Sequence, residues 1–124
     1  DQDSLLILAK PNGPTCHTGA STCWFNSELP TMTFIAELEQ ILAERKEADP
    51  STSYTAELYS KGIKRIAQKV GEEGVETARA AVVQDLEELK NESADLLYHL
   101  IVLLQASNLS LNDAIAVLQA RHNK

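Results

Sequence analysis

From Phe34 to the C-terminus apolar residues recur at three- and four-residue spacing, and proline interrupts the stretch only at Pro50. That period matches the α-helical turn and not the strict alternation of a half-buried strand. The expected fold class is therefore all-α, a small bundle of about four to five helices. Phe34, Leu38, Ile41 and Leu42 share a face, and with Thr33 as N-cap they predict a first helix over 33–47. Asp49-Pro50-Ser51-Thr52-Ser53 breaks it. A short helix over 54–60 follows, Gly62 permits a bend, and a longer helix runs from Ile63 to Gln84. Its apolar stripe is Ile63, Ile66, Ala67, Val70, Gly74, Ala78 and Ala81. Asp85 with Glu88, and Ser110 with Asp113, have the spacing of capping boxes, opening helices that end near Ser107 and His122.

Residues 1–30 are different in kind. They hold three of the four prolines, two of the five glycines and one short apolar run, Leu5 to Leu8, which predicts one strand followed by turns. A lone strand buries no core of its own, so the expected organisation is a remnant of a larger domain over 1–30 followed by a helical domain over 31–124. The N-terminal Asp1-Gln2-Asp3 has neither the basic nor the apolar segment of a secretory signal and reads as a cut end. Cys16 and Cys23 can form a disulfide, bind metal or do neither. Without a signal peptide or a larger cysteine framework, the expected compartment is the reducing cytoplasm.

Eleven Lys and Arg against eighteen Asp and Glu give a net charge of −7. The field of such a chain repels nucleic acid and anionic membrane, so neither is an expected partner, and an anionic substrate calls for a mediating cation. The longest nearly apolar run, Ala94 to Leu104, includes Asp95 and His99 and is about half of what a membrane span needs.

The placement of acids narrows the function. Glu88, Glu92, Asp95 and His99 fall within about 60° of one another on the fourth helix. Leucines, Ile101 and Val102 take most other directions around its second half, so Asp95 is expected to point into protein, where a lone carboxylate must protonate, pair or bind metal. On the third helix Glu72, Glu73 and Glu76 crowd behind Lys69. Glu73 and Glu76 are three apart, as are Glu92 and Asp95, so two antiparallel helices can aim four carboxylates at one point. Hard cations such as Mg²⁺ or Mn²⁺ favour such oxygen sets and share them with phosphates. A plainer reading stands beside this one. The third-helix acids lie nearly opposite the apolar stripe, as on a solvated face, Glu92 and Asp95 can be salt-bridged or at a bundle end, and His99 can be a hydrogen-bonded core histidine.

The pattern Glu73-x-x-Glu76, fifteen intervening residues, then Glu92-x-x-Asp95 resembles the all-α nucleoside triphosphate pyrophosphohydrolases of the MazG type. The run Lys69-Val70-Gly71-Glu72-Glu73-Gly74-Val75-Glu76, with Asp95-Leu96-Leu97-Tyr98-His99-Leu100, more closely resembles the phosphoribosyl-ATP pyrophosphohydrolase family. This likeness covers about residues 33 to 123, including Leu109-Ser110-Leu111-Asn112-Asp113. It implies hydrolysis of 1-(5-phosphoribosyl)-ATP to phosphoribosyl-AMP and pyrophosphate, with Mg²⁺ on Glu73, Glu76, Glu92 and Asp95. Glu72 or Glu73 would accept the water's proton, and Lys69, with Lys61, Lys64 or Arg65 behind it, would meet phosphates. Gly71 and Gly74 would admit a neighbouring helix or substrate. A homodimer is expected both from the resemblance and from a leucine-rich helix with too few partners in so small a chain.

Gly13-Pro14-Thr15-Cys16-His17-Thr18-Gly19 and Ser21-Thr22-Cys23 resemble the C-terminal end of the phosphoribosyl-AMP cyclohydrolase family, which is fused ahead of the pyrophosphohydrolase in many organisms. The resemblance makes Cys16 and Cys23 two of three Zn²⁺ ligands and Asp1 and Asp3 the tail of a Mg²⁺ motif. The third cysteine and the first aspartate would precede Asp1, so cyclohydrolase activity is expected to be absent. Two alternatives remain for the helical part: a housecleaning enzyme for non-standard nucleoside triphosphates, and a non-catalytic helical dimerisation module.

Overall fold

The computed structural model describes residues 12–13, 16–19 and 32–122. The chain divides into two compact units, Asp1–Thr31 and Met32–Lys124. In the first, a turn closes from Gly19 N–H to the Cys16 carbonyl at 3.0 Å, with Gly19 at φ +84° and Cys16 buried. The Cys16 sulfur lies 3.1 Å from Thr18 Oγ1. Cys23, Asp1, Asp3 and the expected Leu5–Leu8 strand lie outside the described residues.

The second unit is helical, and no strand occurs among the described residues. Its helices are α1 (Met32–Glu44), α2 (Tyr54–Lys61), α3 (Ile63–Val82), α4 (Leu86–Ala106) and α5 (Leu111–His122), with a 3₁₀ turn over Arg45–Glu47. The first predicted helix thus tightens before its end, and Thr33 lies inside α1 rather than capping it. Other boundaries follow local chemistry. Ser53 accepts from Ala56 N–H to cap α2, and Gly62, at φ +80°, makes the bend into α3 that a Cβ would oppose. Asp85 Oδ1 accepts from Glu88 N–H at 3.0 Å. Asp113 Oδ2 accepts from Ser110 N–H at 2.7 Å, and Ser110 Oγ accepts from Asp113 N–H at 3.3 Å, a reciprocal box opening α5.

α3 and α4 pair as a hairpin. The three residues between them make it tight, and Arg79 meets Glu88 at 2.9 Å near the turn while Glu73 meets His99 at 3.8 Å further from it. Partners that run in opposite senses along the two helices establish an antiparallel arrangement. Leu42, Leu58, Ile66, Ile101 and Val102 form the core where α1 and α2 close over this hairpin. A polar chain ties α2, α4, α1 and α5 together: Tyr59 O–H donates to Gln105 Oε1, Gln105 Nε2 donates to the Glu39 carbonyl, and Glu39 Oε1 accepts from Leu111 N–H, each at 2.6 Å. Burial raises the Tyr59 hydroxyl to about 12, with Tyr98 adding to it, so it remains a donor.

Three expectations about faces change. α1 buries Leu42 and partly Ile35 and Leu38, while Phe34 and Ile41 stay exposed. On α3 the buried line is Ile66, Glu73 and Ala80, seven apart, whereas Ala67, Ala78 and Ala81 are exposed. Gly71 faces open space and Gly74 meets only Leu96 at 3.9 Å, so neither glycine serves a close approach within the described residues. The axis bends by 103° between α4 and α5, and no single helix among the described residues is long and apolar enough to cross a membrane.

Ile66→Ala and Ile101→Ala each empty a fully buried position, and are expected to lower unfolding free energy in urea by about 2–5 kcal/mol. Lys90→Ala, which removes an exposed pair with Glu87, should cost less than about 1 kcal/mol.

Candidate active site

The site is built from the middle of α3 and the middle of α4. Glu73 is only 4% exposed, and it brings its carboxylate to those of Glu92, half-buried, and Asp95, exposed. One oxygen from each of the three lies within 4.8 Å of the other two. The expected burial is therefore reversed: Asp95 lies at the open side, and Glu73, expected on a solvated face, is the acid taken into protein. Glu76 is exposed and outside this group of three, although its charge acts on Glu92.

A buried carboxylate requires compensation. Lys69, one turn earlier, supplies it with Nζ 2.5 Å from Glu73 Oε1 and 3.0 Å from Glu72 Oε2. The Lys69 hydrogen bond holds the Glu73 carboxyl below its usual range, against the desolvation that would raise it. The same contact carries the Lys69 ammonium well above its usual value. Glu92 goes the other way: desolvation, then the charges of Glu76, Glu73 and Glu88, push its carboxyl up. One acid of the cluster is thus held ionised while its neighbour is readier to keep a proton.

Glu72 belongs to the cationic side of the site. It accepts from Gln68 Nε2 at 2.7 Å and pairs with Arg65 at 3.4 Å, and Lys69 chiefly depresses its pKa. Lys61 is taken up by Glu57 on its own helix, and Lys64 is exposed. Of the expected phosphate-binding cations, Lys69 is the one brought against the acids.

Behind them sits a group of which the acidic stripe foreshadows only the α4 part. His99, 4% exposed, places Nδ1 2.8 Å from the Asp95 carbonyl and 3.8 Å from Glu73 Oε1. Its Nε2 lies 3.2 Å from the Tyr54 hydroxyl. Thr55 Oγ1 and the Tyr98 hydroxyl are 2.7 Å apart, and Tyr54, Tyr98 and His99 pack as rings with centroids 5.0–6.4 Å apart. Tyr98 and His99 are legible as the residues one turn beyond Asp95; Tyr54 and Thr55, on α2, carry no such signal.

Comparison with known proteins supplies the family. Residues 35–122 match the family described as phosphoribosyl-ATP pyrophosphohydrolase. Three relatives carry the name histidine biosynthesis bifunctional protein HisIE. The Vibrio cholerae protein is 61% identical over 124 residues, which are 98% of this chain and 59% of that one. The Photobacterium profundum protein is 59% identical over 129 residues, 100% of this chain and 62% of that one. The Escherichia coli K12 protein is 61% identical over 122 residues, 98% of this chain and 60% of that one. The chain spans about 60% of the length of these curated relatives. The matching segment runs from within α1 to the end of α5, and the chain belongs to the phosphoribosyl-ATP pyrophosphohydrolase family.

Proposed function

We propose that this chain hydrolyses 1-(5-phosphoribosyl)-ATP to 1-(5-phosphoribosyl)-AMP and pyrophosphate, with Mg²⁺ held by Glu73, Glu92 and Asp95 and with Glu76 as the fourth acid of the set. The observation that carries this reading is the meeting of three carboxylate oxygens within 4.8 Å, one from a buried side chain. Such a group is hard, anionic and open on the Asp95 side, which suits a small divalent cation that shares its positions with phosphate oxygens and water. Mn²⁺ fits the same donors. When bound, the ion supplies charge neutralisation on the triphosphate and a more acidic water.

The chain's own residues do the rest. Glu73, fixed by Lys69, gives the cluster one permanent negative charge in a constant position. Lys69 is the cation nearest to the acids and is the group we assign to a substrate phosphate, with Arg65 beyond it. Lys61, at the end of α2, and Lys64, at the start of α3, are our more distant supports. Glu72 stays ionised and outside the group of three, so it is our choice to accept the water's proton. Its depressed pKa makes it a weak base, which matches a water already acidified.

Residues 1–30 we assign to the end of a phosphoribosyl-AMP cyclohydrolase domain, a reading that the word bifunctional in the relatives' names supports. Cys16 and Cys23 are the two cysteines we assign to the Zn²⁺ set of that domain, which needs three or four ligands to hold the ion tightly. A second copy is the expected partner: Phe34, Val75, Val82 and Leu118 leave apolar surface open on α1, α3 and α5, and a homodimer covers it. We assign the protein to the cytoplasm, with a nucleotide as its substrate and neither nucleic acid nor membrane as a partner.

Asp95→Asn and Glu73→Gln are expected to reduce Mg²⁺-dependent pyrophosphate release by about 100-fold or more while circular dichroism stays helical. Near-normal turnover in both rejects the site, and equal turnover of ordinary nucleoside triphosphates favours the housecleaning reading. Because the Glu92 carboxyl is raised, its proton competes with the cation below that raised range. Mg²⁺ affinity should therefore rise with pH through the Glu92 titration, and Glu92→Gln should flatten that dependence in calorimetry. Light scattering at micromolar concentration should give twice the chain mass; a monomer rejects the dimer.

A further inference from the structure

The acids do not explain why a histidine is buried against them. His99 is walled in on every side, yet both ring nitrogens have partners. The Asp95 carbonyl, a backbone group, only accepts, so Nδ1 carries the proton. In the neutral ring Nε2 is then the acceptor, and the Tyr54 hydroxyl donates to it at 3.2 Å. Two contacts from two helices thus select one tautomer and one orientation. In that orientation the Nδ1–H edge faces Glu73 Oε1 at 3.8 Å, too long for a hydrogen bond of its own but close enough for the N–H dipole to favour the carboxylate. Glu73 Oε1 is thus met from two helices, by Lys69 from its own and by the His99 edge from α4.

We propose that His99 is a positioning residue, which fixes the Glu73 carboxylate in the orientation that completes the acidic cluster, and that Tyr54 acts through it. The inference deepens the proposed function and rests on Glu73 being a cation ligand. Groups that orient a ligand from behind are typically worth about 10–100-fold in metal affinity. Tyr54 also brings the start of α2 into this arrangement, so the position of α2 over the hairpin is transmitted to the acids through one hydroxyl and one ring.

Side-chain amides separate the two ring nitrogens. An asparagine amide nitrogen takes the place of Nδ1, whereas that of glutamine takes the place of Nε2. In calorimetric titrations of the full chain with MgCl₂ and MnCl₂, His99→Gln is expected to weaken binding about tenfold, and His99→Asn to stay within about threefold of wild type. Both should lower the melting temperature to a similar degree. Tyr54→Phe removes only a hydroxyl from a half-exposed side chain and keeps the test open should either His99 variant fail to fold; it should weaken binding about threefold. Long-range proton–nitrogen correlation on the wild-type chain should show His99 protonated at Nδ1. An Nε2-protonated ring overturns the proposal, as do His99 variants that bind alike, or a Tyr54→Phe chain that binds as wild type does. Wild-type protein that titrates no better than Glu73→Gln overturns the acidic site itself and this inference with it. Strong wild-type binding that is lost in Glu73→Gln and kept in His99→Gln overturns this inference alone.

Discussion

The burial of one carboxylate, Glu73, is the constraint to which the rest of the helical unit answers. A Glu at 4% exposure cannot be left without a counterpart, and its position in line with Ile66 and Ala80 puts it in the seam between α3 and α4. Lys69 has to follow it inward, one turn earlier, with a side chain only 19% exposed. α4 has to answer with a polar edge at the same height, and that edge is His99. An all-apolar seam would pack these helices as well or better, since buried ion pairs seldom add net stability over hydrophobic residues of similar volume. The polar seam is therefore better explained by what it holds than by what it stabilises.

Helix boundaries were legible because their causes are local. Ser53, Asp85 and the Ser110–Asp113 pair each bond to a backbone or side-chain group three residues away, and Gly62 takes a positive φ at the bend that the sequence permits there. The pairing of Lys69 with Glu73 belongs to the same class, four residues apart on one helix. What periodicity could not decide was which direction is inward. α4 is apolar on almost every side, so its stripe of acids defines an angle but no depth, and the expectation that Asp95 is buried had no neighbour to test it against. On α3 the stripe drawn through Ala67, Ala78 and Ala81 rested on residues with little apolar surface, and such residues weigh little against a single well-placed Ile66. The buried face turned toward Glu73 instead.

The contacts that were illegible are the non-local ones. Tyr54 and His99 are 45 residues apart, and Thr55 and Tyr98 are 43 apart. Neither pair has a spacing to detect, because each exists only once α2 has closed over the hairpin. The same holds for the Gln105 amide, which joins Tyr59 of α2 to the α1 carbonyl at Glu39. Acids announce a site through their crowding, whereas the groups that orient those acids are ordinary core residues until the fold brings them together.

The cluster also has an internal asymmetry that bears on how it handles an anionic substrate. Glu73 is held ionised by a lysine, while Glu92, a few ångströms away, has its carboxyl raised by desolvation and by the acids around it. A group of fully ionised carboxylates on a chain of net charge −7 would repel a triphosphate and one another. A cation held there, as proposed above, would offset the charge of the acids, and the nearby Lys69 would add its own attraction for the phosphates. In the proposed function cation and phosphate would meet at this seam, and the arrangement asks that Glu73 keep its place. Holding Glu73 in place is the part we give to Lys69 and to the histidine edge, which meet the same carboxylate oxygen from two helices.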